Sequence, residues 1–195
     1  MKHFILIVCF LFASFTIHAQ DYKSTIKSTF SEYLDAIVNS DFEKAMDYML
    51  PEFFDIIPRA QLVSIMEQTF NNPQMSFKIR NPEVLHVEDA QEIEDKFYAM
   101  LTYANDMDMQ LKGEEDETEE QKAMRTGLTQ AAFAQSFGKD NVKYNDSTDS
   151  YTIHAEKEVI AISNNGTTDW KFIVLENRQN GMLEKLVPTA LLEQN

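Results

Sequence analysis

The apolar positions of the first third recur at helical steps. Ile26, Phe30, Tyr33, Leu34, Ile37 and Val38 fall three and four residues apart, forming one stripe of a long helix over about 22–38. Asn39 and Ser40 break it. Ser40 and Glu43 have capping-box spacing, so a short helix is expected from about 41 to 49, with Phe42, Ala45, Met46 and Met49 on its apolar side and Pro51 stopping it. Pro58 suits the first turn of a third helix to about 70, whose buried face is Leu62, Ile65, Met66, Thr69 and Phe70.

The period then shortens to two. Phe77 and Ile79 alternate with Lys78 and Arg80, and Pro82 marks an edge position or a bulge before Val84 to Val87. An acidic turn is expected over 88–95. Phe97 to Leu111 reads as a strand with a bulge at Ala104-Asn105. Thr118 and Gln121 repeat the capping-box spacing and open a helix of about 117–137. Its packing residues are expected to be Met124, Leu128, Ala131, Ala132 and Phe137, with Gly138 as the C-terminal cap. Residues 139–149 read as a loop. Tyr151 to Ser163, Trp170 to Leu175 and Met182 to Val187 read as a three-strand meander turning at Asn165-Gly166 and Asn180-Gly181. Trp170, Phe172 and Val174 share one face, Ile173 and Leu175 the other. Both faces are apolar, so the second needs cover from the 117–137 helix or from another copy of the chain, and a homodimer is expected.

The first 19 residues read differently. Lys2 and His3 precede an apolar run from Phe4 to Ile17, and Ala19 precedes Gln20 and Asp21, the pattern of a secretory signal cut near Ala19. An uncleaved anchor is the alternative. Cleavage removes Cys9, the one cysteine, so the mature chain is expected to hold no disulfide, thiolate nucleophile or cysteine-bound metal. A periplasmic or extracellular location in a bacterial setting follows. Residues 20–195 are then a single domain, with an insertion at about 112–149.

The charge narrows the partners. With 32 acidic against 17 basic residues and a formal charge of −15, the chain is a poor match for nucleic acid or an anionic membrane surface. The acidic run 114–120 lacks the residue order of a calcium loop, and Asn145, Asp146 and Asp149 are a weak oxygen cluster. The run suits a helix start, where acids meet the positive end of the dipole. Sequons at Asn145 and Asn165 carry little weight, and there is no phosphate-binding glycine loop or Gly-x-Ser-x-Gly elbow. No metal or cofactor is expected.

Phe30 to Leu34, then Asn39-Ser40-Asp41-Phe42 with Ala45 and Met49-Leu50-Pro51, and Trp170-Lys171-Phe172 near the end, resemble the nuclear transport factor 2-like superfamily, also called SnoaL-like or ketosteroid-isomerase-like. The resemblance covers most of 22–190 and carries no signature motif. It implies an α+β fold with three N-terminal helices packed on a curved antiparallel sheet, cone-like; the helix of about 117–137, inserted between strands, departs from the family, which usually joins its strands by short turns. Some members of the family are isomerases or dehydratases, and many others only bind or dimerise, so the fold alone does not choose.

Two histidines follow the signal. His86 and His154 lie on expected strands and titrate near neutral pH, so either could act as a general base, with Tyr98 as a donor to an oxyanion. Tyr33, Tyr98, His154 and Trp170 are the ligand-binding candidates. Core packing is the competing explanation for the tyrosines and Trp170, and a plain strand position for the histidines. The leading expectation is a non-catalytic secreted module that binds a small apolar ligand or a protein partner. The alternatives are a cofactor-free isomerase or dehydratase and an envelope or stress interaction protein.

Overall fold

The computed structural model describes residues 21–175, 181 and 183–192. The signal segment and Asn180 of the second expected turn lie outside these. The fold is α+β, with five helices and an open antiparallel sheet of six strands among the described residues. Residues 21–38 form α1, followed by α2 (Phe42–Met46) and α3 (Arg59–Phe70). The strands are β1 (Met75–Val87), β2 (Gln91–Ile93), β3 (Lys96–Leu111), β4 (Val142–Asn145), β5 (Ser150–Ser163) and β6 (Lys171–Leu175). Helix α4 (Glu119–Phe137) stands between β3 and β4, and α5 (Thr189–Leu192) is the last described element.

The centre of the sheet is one ladder. Phe97 to Met109 of β3 pair with Ser163 to Tyr151 of β5 without a register shift. The bulge expected at Ala104-Asn105 is therefore absent from β3. Two irregularities sit across the sheet on β1, one between Arg80 and Glu83, where Pro82 cannot donate to the ladder, and one between Val84 and His86. β1 and β2 share the outer edge of β3, and β4 and β6 share that of β5.

Alternation along the ladder gives each half its own cover. On one face, Ala99, Leu101, Val159 and Ala161 pack under Ile26, Phe30 and Leu34 of α1, with Trp170 and Phe172. Farther along that face, Met107, Met109, Tyr151 and Ile153 meet Phe133 and Phe137 of α4. On the opposite face, Tyr98, Met100, Ile160, Ile162, Ile173 and Leu175 are buried by Leu183, Val187, Leu191 and Leu192.

That last contact corrects the expectation for Ile173 and Leu175. Neither α4 nor a second copy covers them. The chain's own end does, as a 3₁₀ turn (Leu183–Lys185) and α5, where a third meander strand was expected. The β5–β6 connection also differs from a two-residue turn. Residues 164–170 form a longer loop in which Asn165 Oδ1 accepts from the backbone N–H groups of Thr167 and Thr168 at 2.9 and 2.8 Å. Gly166 has φ +70°, and an added Cβ would lie 2.8 Å from the Phe97 ring, so both conformation and space require glycine there.

Other departures are local. Asp41, not Ser40, caps α2 by accepting from Lys44 N, while Ser40 takes φ 58°. The acidic 88–95 segment holds β2, turned by Glu94 and Asp95, both with positive φ. The expected loop 139–149 contains β4.

Helix α4 starts as its capping box requires: Gln121 N donates to Thr118 Oγ1, and Thr118 N to Gln121 Oε1. Its rotation differs from expectation. Phe133 and Phe137 face the sheet, while Met124 and Leu128 stand 65% and 68% exposed. These ring contacts and a set of ion pairs hold the orientation together. The Arg125 guanidinium donates to Glu117 at 2.8 Å and to Asp149 at 2.7 Å, and Asp149 also accepts from the Tyr144 hydroxyl at 2.9 Å. Burial, then the Asp149 contact, pushes the Tyr144 phenol up to about 12.

Arg125 holds the Glu117 and Asp149 carboxyls below their ordinary 4.5 and 3.8. Carboxyls depressed on folding stabilise the fold above their ordinary values, and that contribution is lost as pH falls through the folded values. Acidification below pH 3.8 should therefore release α4 ahead of the N-terminal helices. Hydrogen exchange across a pH series checks this: protection should fall first in 119–137, and simultaneous loss along the whole chain would contradict it.

Candidate functional site

The N-terminal helices enclose a recess lined almost entirely by apolar side chains. After α2 the chain passes Met49 and Leu50 along the free edge of β6, where Phe172 N donates to Tyr48 O at 2.9 Å and Leu50 N to Phe172 O at 3.2 Å. This short parallel bridge covers the sheet edge. A 3₁₀ turn (Pro51–Asp55) follows, and α3 folds back over α2. Between these walls lies a cavity of about 270 Å³. Tyr33 of α1, Met46 of α2, Met49 and Phe53 form one side; Leu62 and Met66 of α3 face Phe172–Val174 of β6. Tyr33 is the one lining residue with a polar side-chain group.

Basic side chains fix the walls of this acidic protein. Arg59, at the start of α3, donates to Glu43 at 3.1 Å and to Asp47 at 2.8 Å, tying α3 to α2. Lys171 Nζ donates to the Asp47 carbonyl at 2.7 Å, and Lys96 Nζ to Glu52 at 3.1 Å, tying the α2–α3 connection to the sheet. These groups are partly exposed, so each pair adds at most about 1 kcal/mol, and their geometric effect is the larger one. Three methionines in the lining give an unbranched, polarisable wall that can adjust to an occupant.

Of the residues singled out by sequence, only Tyr33 lines this cavity. Trp170 is 1% exposed in the core beneath α1, 6.2 Å from the Tyr22 ring. Tyr98 is buried on the opposite face, under the C-terminal segment, and burial raises its phenol pKa. His86 is exposed on edge strand β1, and His154 is exposed on the solvent side of β5. Their ladder partners are Thr102 and Asp106 of β3. Positions 98, 102 and 106 are four residues apart, roughly 13 Å per step. The two histidines and Tyr98 thus belong to three separate surroundings.

His154 has one firm partner. Its Nδ1 is 3.0 Å from Asp106 Oδ1. Asn81 first, and then His154, lowers the Asp106 pKa. Beside it Arg80 and Thr152 donate to Asp108 at 2.7 and 3.0 Å. This is a polar sheet surface whose charges satisfy one another, with no convergence on the cavity. Among the described residues there is no cluster of three or more metal-ligating side chains and no helix long and apolar enough to cross a membrane.

The lining was missed by residue-type reasoning because it contains no chemistry-bearing set. The available signal was three methionines on expected apolar faces, Met46 and Met49 in and just after α2 and Met66 in α3, all of which line the cavity. No protein-family model matches the sequence, and no curated protein matches it.

Trp170 yields a sharp test of its placement in the core. Its Nε1 is buried without a hydrogen-bond partner. Trp170→Ala should cost about 3–5 kcal/mol, as large-to-small core changes do. Trp170→Phe should cost far less, since it removes an unsatisfied donor worth about 1–3 kcal/mol. Urea unfolding of both variants measures this, and equal losses would contradict the unpartnered indole.

Proposed function

We propose that the protein is an exported, non-catalytic module of the nuclear transport factor 2-like kind, acting in the periplasm or outside the cell and binding a small apolar molecule between its N-terminal helices and the sheet. The observation that carries this reading is the cavity of about 270 Å³ with a nearly all-apolar lining. It lies just below the roughly 300–1,000 Å³ of ordinary ligand pockets, so its occupant is small. Burial of apolar surface supplies the affinity, at about 25 cal/mol per Å² before the costs of association. The helices before the sheet and the position of the recess between them support the cone-like arrangement. The reading as a pocket-histidine enzyme is weaker, because His86, His154 and Tyr98 face no common cavity.

Titration with the apolar fluorophore N-phenyl-1-naphthylamine tests binding. The protein should enhance its fluorescence with saturation, and short-chain aliphatic alcohols or acids should displace it. Met66→Trp fills the space between α3 and β6 and should weaken binding at least about tenfold, since overpacking disturbs the fold by only about 1–3 kcal/mol. Met124→Gln, on the exposed side of α4, should leave binding unchanged. No saturable signal, or equal binding by the Met66→Trp variant, would overturn the reading.

A further inference from the structure

Helix α4 is the least buried long element of the fold. It contributes no buried residue, and only Phe133 and Phe137 pack against the sheet cluster. Its opposite side carries Met124 and Leu128, the two most exposed large apolar residues among those described and one turn apart. Gln121, Met124, Leu128, Ala131 and Gln135 lie at alternating three- and four-residue steps, all exposed, which is the seam of a helix pair. Beside the seam runs a groove of about 280 Å³ between Gly127, Ala131 and Ala134 on one side and Lys139 and Val142 on the other. A Cβ at Gly127 would meet no atom within 4 Å, so nothing in this chain requires the glycine. Glycine disfavours a helix interior, and here it leaves space open toward solvent.

We propose that a second copy of this chain docks on this face, with the two α4 helices antiparallel about a two-fold axis between Gly127 and Leu128. That axis sets Leu128 against the partner's Gly127, and Met124 against the partner's Ala131. Each large side chain meets a small one, and by symmetry the partner's Leu128 and Met124 fill the space beside Gly127 and Ala131. A self-complementary patch of knob and hole is what a two-fold interface needs. Charge selects the same direction. Asp116, Glu119 and Glu120 are exposed at the start of the helix, and Lys139 and Asp140, which cancel in net charge, are exposed just beyond its end. Antiparallel pairing brings the acidic start of each helix to this near-neutral end of the other, with Asp116 level with the partner's Lys139; parallel pairing sets acid on acid. The acids also disfavour an anionic membrane as occupant. The Arg125 ion pairs hold α4 from behind, so the face is presented without a folding step.

Two paired helices of this length bury less than the roughly 1,200–2,000 Å² of a stable complex, so the dimer should be weak, with Kd of order 10–100 µM. Sedimentation velocity of the purified protein up to about 300 µM should show reversible dimerisation on that scale. Leu128→Gln and Gly127→Leu should each raise Kd about tenfold or more, the second while retaining or increasing helical circular dichroism. Lys139→Glu should weaken the dimer, and mixing it with an Asp116→Lys, Glu120→Lys variant should restore pairing between the two. A monomer at every concentration would overturn the proposal, as would a dimer indifferent to Leu128→Gln and Gly127→Leu. Binding of the monomer to phosphatidylcholine–phosphatidylglycerol vesicles, lost in Leu128→Gln, would assign the face to a membrane surface and also overturn it.

Discussion

Everything in this fold answers to the length of the β3–β5 ladder. Thirteen consecutive pairs, from Phe97↔Ser163 to Met109↔Tyr151, run without a shift. At about 3.3 Å per residue such strands extend some 43 Å, and no single short helix spans that distance. Alternation presents apolar residues along the whole of one face and along one half of the other. Each apolar stretch must be removed from water separately. Helices α1–α3 take one half of the first face, α4 takes the other half, and the C-terminal 3₁₀ turn and α5 take the apolar half of the second. The remaining quarter is left to solvent and carries Arg80, Asp106, Asp108 and His154.

This division explains why a cavity forms at one end and a bare helix at the other. At the first end, α3 packs against α2 and the end of α1. The chain bridges the β6 edge at Met49 and Leu50 and folds α3 back over α2, leaving a space whose walls are set by Arg59, Lys96 and Lys171. At the second end, α4 covers its half with two phenylalanines and a guanidinium fork. Two aromatic rings suffice for the narrow strip around Tyr151 and Ile153, so the rest of α4 faces outward.

Much of this order was legible in the residues. The stripe of α1, the capping box at Thr118, the C-terminal glycine of α4 and the division of β6 into two faces follow from spacing and local stereochemistry, which act within a few residues. What was illegible depended on partners far along the chain. The last strand expected after the Asn180-Gly181 turn is replaced at Leu183–Lys185 by a 3₁₀ turn, which with α5 covers Ile173 and Leu175. The rotation of α4 depends on Phe133 reaching Tyr151 and on Arg125 reaching Asp149, 24 residues away, and leaves Met124 and Leu128 exposed. The candidates named from sequence were histidines, tyrosines and Trp170, which advertise chemistry; of these Tyr33 lines the recess, whose other walls are methionine, leucine, isoleucine, valine and phenylalanine, residues that ordinarily signal only core.

The proposed function divides the sheet into a half under α1–α3 that would hold the ligand and a separate half under α4. Hydrogen exchange read by mass spectrometry, with and without saturating N-phenyl-1-naphthylamine, tests it directly. The account predicts slower exchange in residues 46–66 and 171–175 on addition of the probe, with 119–153 unchanged. Protection centred on 119–153, or none anywhere despite bound probe, would contradict it.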